Sequence, residues 1–261
     1  MPEFNRRHLL TAAASAALAG PAAAQSPYGA PGYGPPGTSG PDPYGADSYG
    51  QPYGRRRPSA EPAPVQTEAA RVGGEVDYDR AYAAAEGEPF AVPAIRWRRV
   101  NPAFLRQPVA HTGREPPGTV IIDPRAHHLF LVYGGGTAMR YGVGVGRQGF
   151  AWAGQADIRS KQMWPDWYPP KEMLDRQKDL ARQMSQLQSG IGMHGGPRNP
   201  LGARAMYLWQ GNKDTLYRIH GTTEPETIGT SVSSGCIRMI NQDAMDLYAR
   251  VQVGSRVVVL G

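Results

Sequence analysis

The 261-residue chain has a single cysteine, Cys236, in the stretch SVSSGCIRM at residues 231–239. A thiol performs acyl transfer as its thiolate, so it needs a base within hydrogen-bond reach and surroundings that lower its pKa. The candidate base is His220, in YRIHGT, with fifteen residues between it and the cysteine. Gly235 lets the backbone bend just before the sulfur and approach a substrate. A turn of Ser233, Ser234 and Gly235 can aim backbone N–H groups at a developing oxyanion. Arg238 adds positive charge two residues further on and suits a substrate carboxylate. The opposing reading is a core histidine and a small, inert, buried thiol, and spacing alone does not bring the two side chains together. Papain-type proteolysis is disfavoured, because the histidine precedes the cysteine and the usual motif around the cysteine is absent. Zinc is disfavoured too. The histidines at 8, 111, 127, 128, 194 and 220 are scattered, and none has metal-ligand spacing with Cys236.

Such residues must be held by a scaffold, and from Pro117 the sequence supplies one. Short β-rich runs at 118–123, 127–135, 138–147, 157–164, 203–209, 215–221 and 255–261 are separated by glycine turns. They predict a mainly β, sandwich- or barrel-like domain. His220 ends one of these strands, in which Leu216 and Ile219 are expected to be buried. Residues 241–251 predict a helix with Asn241 as N-cap, Ala244, Leu247, Tyr248 and Val251 on one face, and Gly254 as its stop. Residues 171–190 predict a second helix with Met173, Leu180, Met184 and Leu187 on one stripe. Its Trp-rich entrance, MWPDWYPP, suggests a lid-like helical insertion over a groove.

The rest of the chain reads as export and spacing. Residues 1–24 combine Arg6-Arg7, an alanine-rich apolar run and Ala22-Ala23-Ala24 before Gln25, the pattern of an export signal peptide. The arginine pair resembles a Tat-type signal, and a Sec signal fits as well. A periplasmic location follows, with no stable membrane span in the mature chain. Residues 25–74 read as a disordered Tyr/Gly/Pro-rich linker. Residues 75–114 read as a small N-terminal lobe or lead-in, with a short helix ending at Gly87, and 115–261 as the catalytic domain. The formal charge of +6 suits a polyanionic surface such as a cell wall. No basic stripe interleaved with aromatics supports nucleic-acid binding. In an oxidising compartment an unpartnered cysteine is either a free thiol, reactive or inert, or an intermolecular partner.

The motif RIHGTTEPETIG…SVSSGCIRM resembles the signature of the YkuD-type L,D-transpeptidase catalytic domain. The blocks PGTVIID, LFLVYGGGTAMRYGVGVGR, WPDWYPPKEM and GGPRNPLGARAMYL are similar to that family from about Gly113 to Gly261, and RVNPAFLRQPV resembles its proteobacterial branch. The resemblance implies Cys236 as nucleophile and His220 as its base, oriented by the Gly221 carbonyl in place of a carboxylate. It implies Ser233, Ser234 and Gly235 as the oxyanion loop and Arg238 as holder of a substrate carboxylate. Some members have histidine where this chain has Ser234, so His220 carries the proton alone. The family usually reads Gly-Met-Pro-Gly-Gly where this chain has His194, a position read as a surface departure.

The implied activity is that of a murein L,D-transpeptidase and carbapenem target working on peptidoglycan stem peptides without metal or organic cofactor. Its acyl acceptor is a second stem, giving 3→3 crosslinks, or an outer-membrane protein. Water as acceptor makes an L,D-carboxypeptidase. A non-catalytic peptidoglycan-binding module and a redox or structural cysteine are the rival classes.

Overall fold

The computed structural model describes residues 75–146, 152–233 and 235–261. The predicted export signal (1–24) and linker (25–74) lie outside the described residues, as does Ser234. The described part opens with a one-turn helix, α1 (Tyr78–Ala81), capped by the Asp77 carboxylate, which accepts from the Arg80 amide at 3.1 Å. Residues 82–106 then run along the domain without a long element. The strands follow: β1 (Gln107–Ala110), β2 (Val120–Asp123), β3 (His128–Val132), β4 (Thr137–Gly142), β5 (Val145–Gly146) and β6 (Gly154–Met163). After the insertion, which contains α2 (Lys171–Arg176), α3 (Lys178–Ala181), β7 (Ser185–Leu187) and β8 (Gly190–Gly192), come β9 (Arg204–Gln210) and β10 (Lys213–His220). The C-terminal part adds β11 (Ser231–Ser233), β12 (Ile237–Arg238), α4 (Asn241–Arg250) and β13 (Arg256–Val259).

The mainly β expectation holds. Among the described residues nine strands form one mixed sheet in the order β1-β4-β3-β2-β13-β6-β9-β10-β12, and β11-β5 and β7-β8 form two-stranded pairs. Alternation explains β6, where Ala156 and Ile158 face the core and the alternating Gln155 and Asp157 are exposed. By contrast β9 is buried from Arg204 to Leu208, and α4 packs on it, so both faces are covered. One apolar core joins Val120, Leu129, Ile158, Met206, Leu208 and Ile219 of the sheet to Ala244 and Leu247 of α4. Burying each such side chain contributes about 1.5–3 kcal/mol.

Four sequence expectations change. The short helix expected to end at Gly87 is the single turn α1, which stops at Ala81. The helix predicted over 171–190 is two short helices, broken at Gln177, whose φ of −117° and ψ of 79° leave the helical region. The β7–β8 hairpin follows. Leu187 is buried from a strand rather than a helix, and Gly192 sits where a Cβ would run into the Trp167 carbonyl. Leu216 is 58% exposed: β10 bulges between Asp214 and Arg218, and φ of 61° at Leu216 turns its side chain out of the core pattern. Finally, the N-cap of α4 is Ile240. Asn241 is instead the first helical residue, and its side chain is engaged elsewhere.

Candidate active site

β10 carries His220 to its end, and β12 pairs with it in parallel, Ile219 opposite Ile237 and His220 opposite Arg238. Cys236 immediately precedes β12, two positions before Arg238. Side chains two apart on a strand share a face, so the pairing brings the cysteine alongside the strand that bears the histidine. The two groups share an electrostatic environment: the Arg218 and Arg238 guanidiniums act on both.

The histidine is fixed in one tautomer by its chain neighbour. Nδ1 lies 2.6 Å from the Gly221 carbonyl oxygen. A carbonyl only accepts, so Nδ1 carries the hydrogen and Nε2 of the neutral ring keeps its lone pair. Burial pushes the imidazole pKa down to about 4, the Gly221 carbonyl opposing and the two arginines reinforcing the fall. At neutral pH the ring is therefore an uncharged proton acceptor.

The thiol is also neutral at rest. Cys236 is partly buried as a residue, yet its sulfur is closely surrounded by protein, and that desolvation raises its pKa above the ordinary value. The charge of Arg218, a hydrogen bond from the Arg218 backbone and the charge of Arg238 pull the other way. Sγ also lies 4.0 Å from the Leu216 carbonyl oxygen. Arg218 is held in place by two 2.7 Å contacts to the Asp214 carboxylate and by stacking 4.6 Å over the Tyr207 ring. A neutral thiol on the segment paired with the strand of a neutral imidazole suits proton transfer coupled to attack, rather than a standing thiolate–imidazolium pair.

The cysteine loop connects two sheets. Ser231 and Ser233 pair with Val145 and Gly146 in the small sheet, and Ile237 joins the large one. Gly235 has φ of +139°, and a Cβ there would sit 3.1 Å from the Tyr217 ring, so the position requires glycine. Tyr217 stacks on Trp152 with centroids 5.3 Å apart, and both rings join Gly235, Val145 and Ile237 in lining a small apolar cleft beside the loop. Arg238 donates to Glu224 at 3.1 Å, so a carboxylate of the chain itself already occupies its guanidinium. His194 lies apart, 58% exposed, with Nδ1 3.3 Å from Asp166.

Sequence reasoning missed Asn241. Its Oδ1 accepts from the Ala203 amide at 3.0 Å, and its Nδ2 donates to the Thr222 carbonyl at 3.0 Å. The amide also fills the space where a Cβ on Gly221 or Gly202 would go, so it clamps the turn that contains the histidine's carbonyl partner. An asparagine at the start of a helix reads as a cap from sequence, and nothing local distinguishes the two uses. Arg218 carried a signal that went unused, since it lies two residues before His220 on the same strand. Among the described residues no three His, Cys, Asp or Glu side chains converge to hold a metal ion, and no helix is long and apolar enough to cross a membrane.

The probable L,D-transpeptidase YbiS of Escherichia coli K12 is 29% identical over 144 residues, covering 54% of this chain and 43% of its own length. The probable L,D-transpeptidase ErfK/SrfK of Salmonella typhimurium LT2 is 35% identical over 103 residues, covering 40% of this chain and 30% of its own. The chain thus spans less than half the length of these relatives. A crystal structure from Brucella melitensis, described as a probable carnitine operon oxidoreductase, is 52% identical and covers 63% of this chain and 99% of its own, at a TM-score of 0.42. A likeness at that TM-score carries no argument about this chain. The model of the YkuD L,D-transpeptidase catalytic domain matches residues 117–259, more than half of the chain and both Cys236 and His220, and the chain belongs to that family.

Proposed function

We propose that this protein is a periplasmic cysteine acyltransferase acting on the tetrapeptide stems of peptidoglycan, with Cys236 as nucleophile and His220 as its base. The observation that carries the reading is the His220 tautomer. Nδ1 is committed to the Gly221 carbonyl at 2.6 Å, which leaves Nε2 as acceptor on the strand paired with the cysteine segment, inside a YkuD domain.

The steps follow from those groups. As Sγ attacks the carbonyl carbon of the third stem residue, the thiol proton passes to His220 Nε2. The carbonyl electrons move onto oxygen, and backbone N–H groups of the Ser233–Gly235 loop stabilise that charge, each worth about 3 kcal/mol in comparable acyl-transfer sites. Collapse of the intermediate breaks the bond to D-alanine, whose amine takes the proton from His220, and a thioester remains on Cys236. An incoming amine reverses the sequence and frees the thiol. The Gly221 carbonyl supports the transient imidazolium, the part a carboxylate plays in other triads. Arg238 binds a stem carboxylate once Glu224 yields it. The signal-like pattern of residues 1–24 and the Tyr/Gly/Pro-rich composition of 25–74 support a domain exported and held near the wall.

Incubation with purified tetrapeptide muropeptides, read by mass spectrometry, tests the reading. Release of D-alanine and a thioester adduct on the protein, both lost in Cys236→Ala, are expected. Crosslinked dimers identify a stem as acceptor, trimmed tripeptides identify water, and a stem joined to an added lysine-bearing peptide identifies a protein amine. No D-alanine release under any condition, with a folded and reduced enzyme, overturns it.

A further inference from the structure

The family match begins at residue 117, yet one of the most enclosed ion pairs in the described structure reaches outside it. Residues 85–92 form a small hairpin, closed by a bridge between Ala85 and Val92 and turned at Gly87, whose φ is +74°. Gln242 of α4 fixes its base, donating to the carbonyls of Ala83 at 3.0 Å and Pro93 at 2.8 Å. Near its tip, the Glu88 carboxylate accepts from the Trp164 indole at 2.7 Å and from Arg204 Nη1 at 2.9 Å, and its second oxygen binds Arg204 Nη2. The Arg204 and Glu88 side chains are only 8% and 9% exposed. Phe90 adds an edge-on contact to Trp164, centroids 5.0 Å apart.

The partners of Glu88 lead directly to the histidine turn. Arg204 Nη1 also donates to the Ala203 carbonyl at 2.8 Å, and the Ala203 amide is the group held by Asn241. The backbone carbonyl of Arg204 accepts the Gly221 N–H at 3.0 Å, and Gly221 supplies the carbonyl that orients His220. Without Glu88 a guanidinium is left buried without its carboxylate. That is costly, and the escape is for the start of β9 to move and the arginine to reach water. Such a movement shifts the two anchors, Ala203 N–H and Arg204 C=O, on which the turn rests.

We propose that Glu88 is a positioning residue for His220, acting through Arg204, so that the hairpin of residues 85–92 is a working part of the catalytic apparatus although it lies outside the family domain. This rests on the reading of His220 as base. The family domain cut at residue 117 is then an incomplete enzyme.

The test uses the whole chain and three proteins, wild type, Glu88→Ala and Glu88→Gln; the glutamine keeps an oxygen for Trp164 and Arg204 and guards against failure to fold. Two measurements are made. The His220 ring is titrated by NMR, its signal assigned by its absence in His220→Gln. Acylation of Cys236 by a carbapenem is followed by intact mass, giving a maximal rate and a half-saturating concentration. In wild type the expected midpoint is about 4, because burial disfavours the charged ring. In Glu88→Ala the midpoint moves toward the ordinary histidine value of about 6.5, and the maximal acylation rate falls at least tenfold with half-saturation within twofold of wild type. Glu88→Gln shifts both in the same direction by less. A purely structural role predicts a lower Tm with the titration and the maximal rate unmoved in the folded variants, and that result overturns the proposal. Wild-type protein that the carbapenem does not acylate counts against the functional reading alone, and the NMR titration still decides the role of Glu88.

Discussion

The histidine turn and the cysteine loop are built on opposite plans. The turn is tied down from several segments. Gly221 N–H binds the Arg204 carbonyl, Met239 N–H binds the His220 carbonyl at 2.8 Å, and Asn241 clamps Ala203 to Thr222. The loop is suspended between two sheets, entering from β11 beside β5 and leaving along the edge strand β12, with a glycine in a conformation closed to other residues before the sulfur. The imidazole is thus placed by a buried hydrogen-bond network, and the thiol by a loop strung between two strand pairings, β11 with β5 and β12 with β10, with one special φ before it. The contrast teaches a division of labour: damage to the turn costs stability and chemistry together, whereas damage to the loop costs chemistry first.

That division can be broken by experiment. The largest effect is expected from Gly221→Ala, where the new Cβ collides with Asn241 Oδ1 and comes within 3.2 Å of the Ala203 amide nitrogen. Overpacking against fixed backbone predicts a loss of about 3 kcal/mol or more, measured by urea unfolding, and a fall in Cys236 acylation of at least about 100-fold, since ~3 kcal/mol of lost positioning corresponds to that factor.

Next comes the pH dependence of the turn. His220 titrates at about 4 in the folded chain and near 6.5 when unfolded. Between those values the unfolded chain binds more protons, so this residue's contribution is complete above pH 6.5 and is lost as pH falls toward 4. The stability difference between wild type and His220→Gln should therefore change by ~3 kcal/mol between pH 7 and pH 4, read from paired denaturation curves. A constant difference would mean that the ring is not buried neutral.

Gly235→Ala sharpens the other half of the comparison. Strain at φ +139° and contact with Tyr217 predict a modest stability loss of about 1–2 kcal/mol, with acylation falling about tenfold. A Tm loss as large as that of Gly221→Ala would remove the distinction between the two regions. The smallest effect is expected in alkylation. Desolvation raises the thiol pKa, so the iodoacetamide rate of wild type should be slow at pH 7 and keep climbing past the pH at which an ordinary cysteine levels off. A plateau near neutral pH would indicate a standing thiolate instead.

Strands from Val120 to Val259 were legible because alternation and glycine punctuation are local properties of the chain. The helix over 171–190 was misread for the complementary reason. Met173, Leu180, Met184 and Leu187 have helical spacing, but Gly190 and Gly192 permit a hairpin whose backbone packs closely on Trp167 and Tyr168. α4 shows both sides. Its apolar face was readable, whereas its buried Gln242 and Asp243 make sense only with Ala83, Pro93, Tyr82 and Arg106 packed on them.

The sequence by itself determined the candidate groups and the family. A lone thiol after Ser-Ser-Gly, a histidine followed by glycine, and the order of blocks around them are written in adjacent residues, because residue type and close spacing are properties of the chain itself. Only the tertiary structure decided how the His220 turn is held. Glu88 meets Arg204 across 116 residues and Asn241 meets Ala203 across 38. Such pairs leave no periodic or local trace, since a buried charge or amide takes its meaning from whatever the fold places opposite it.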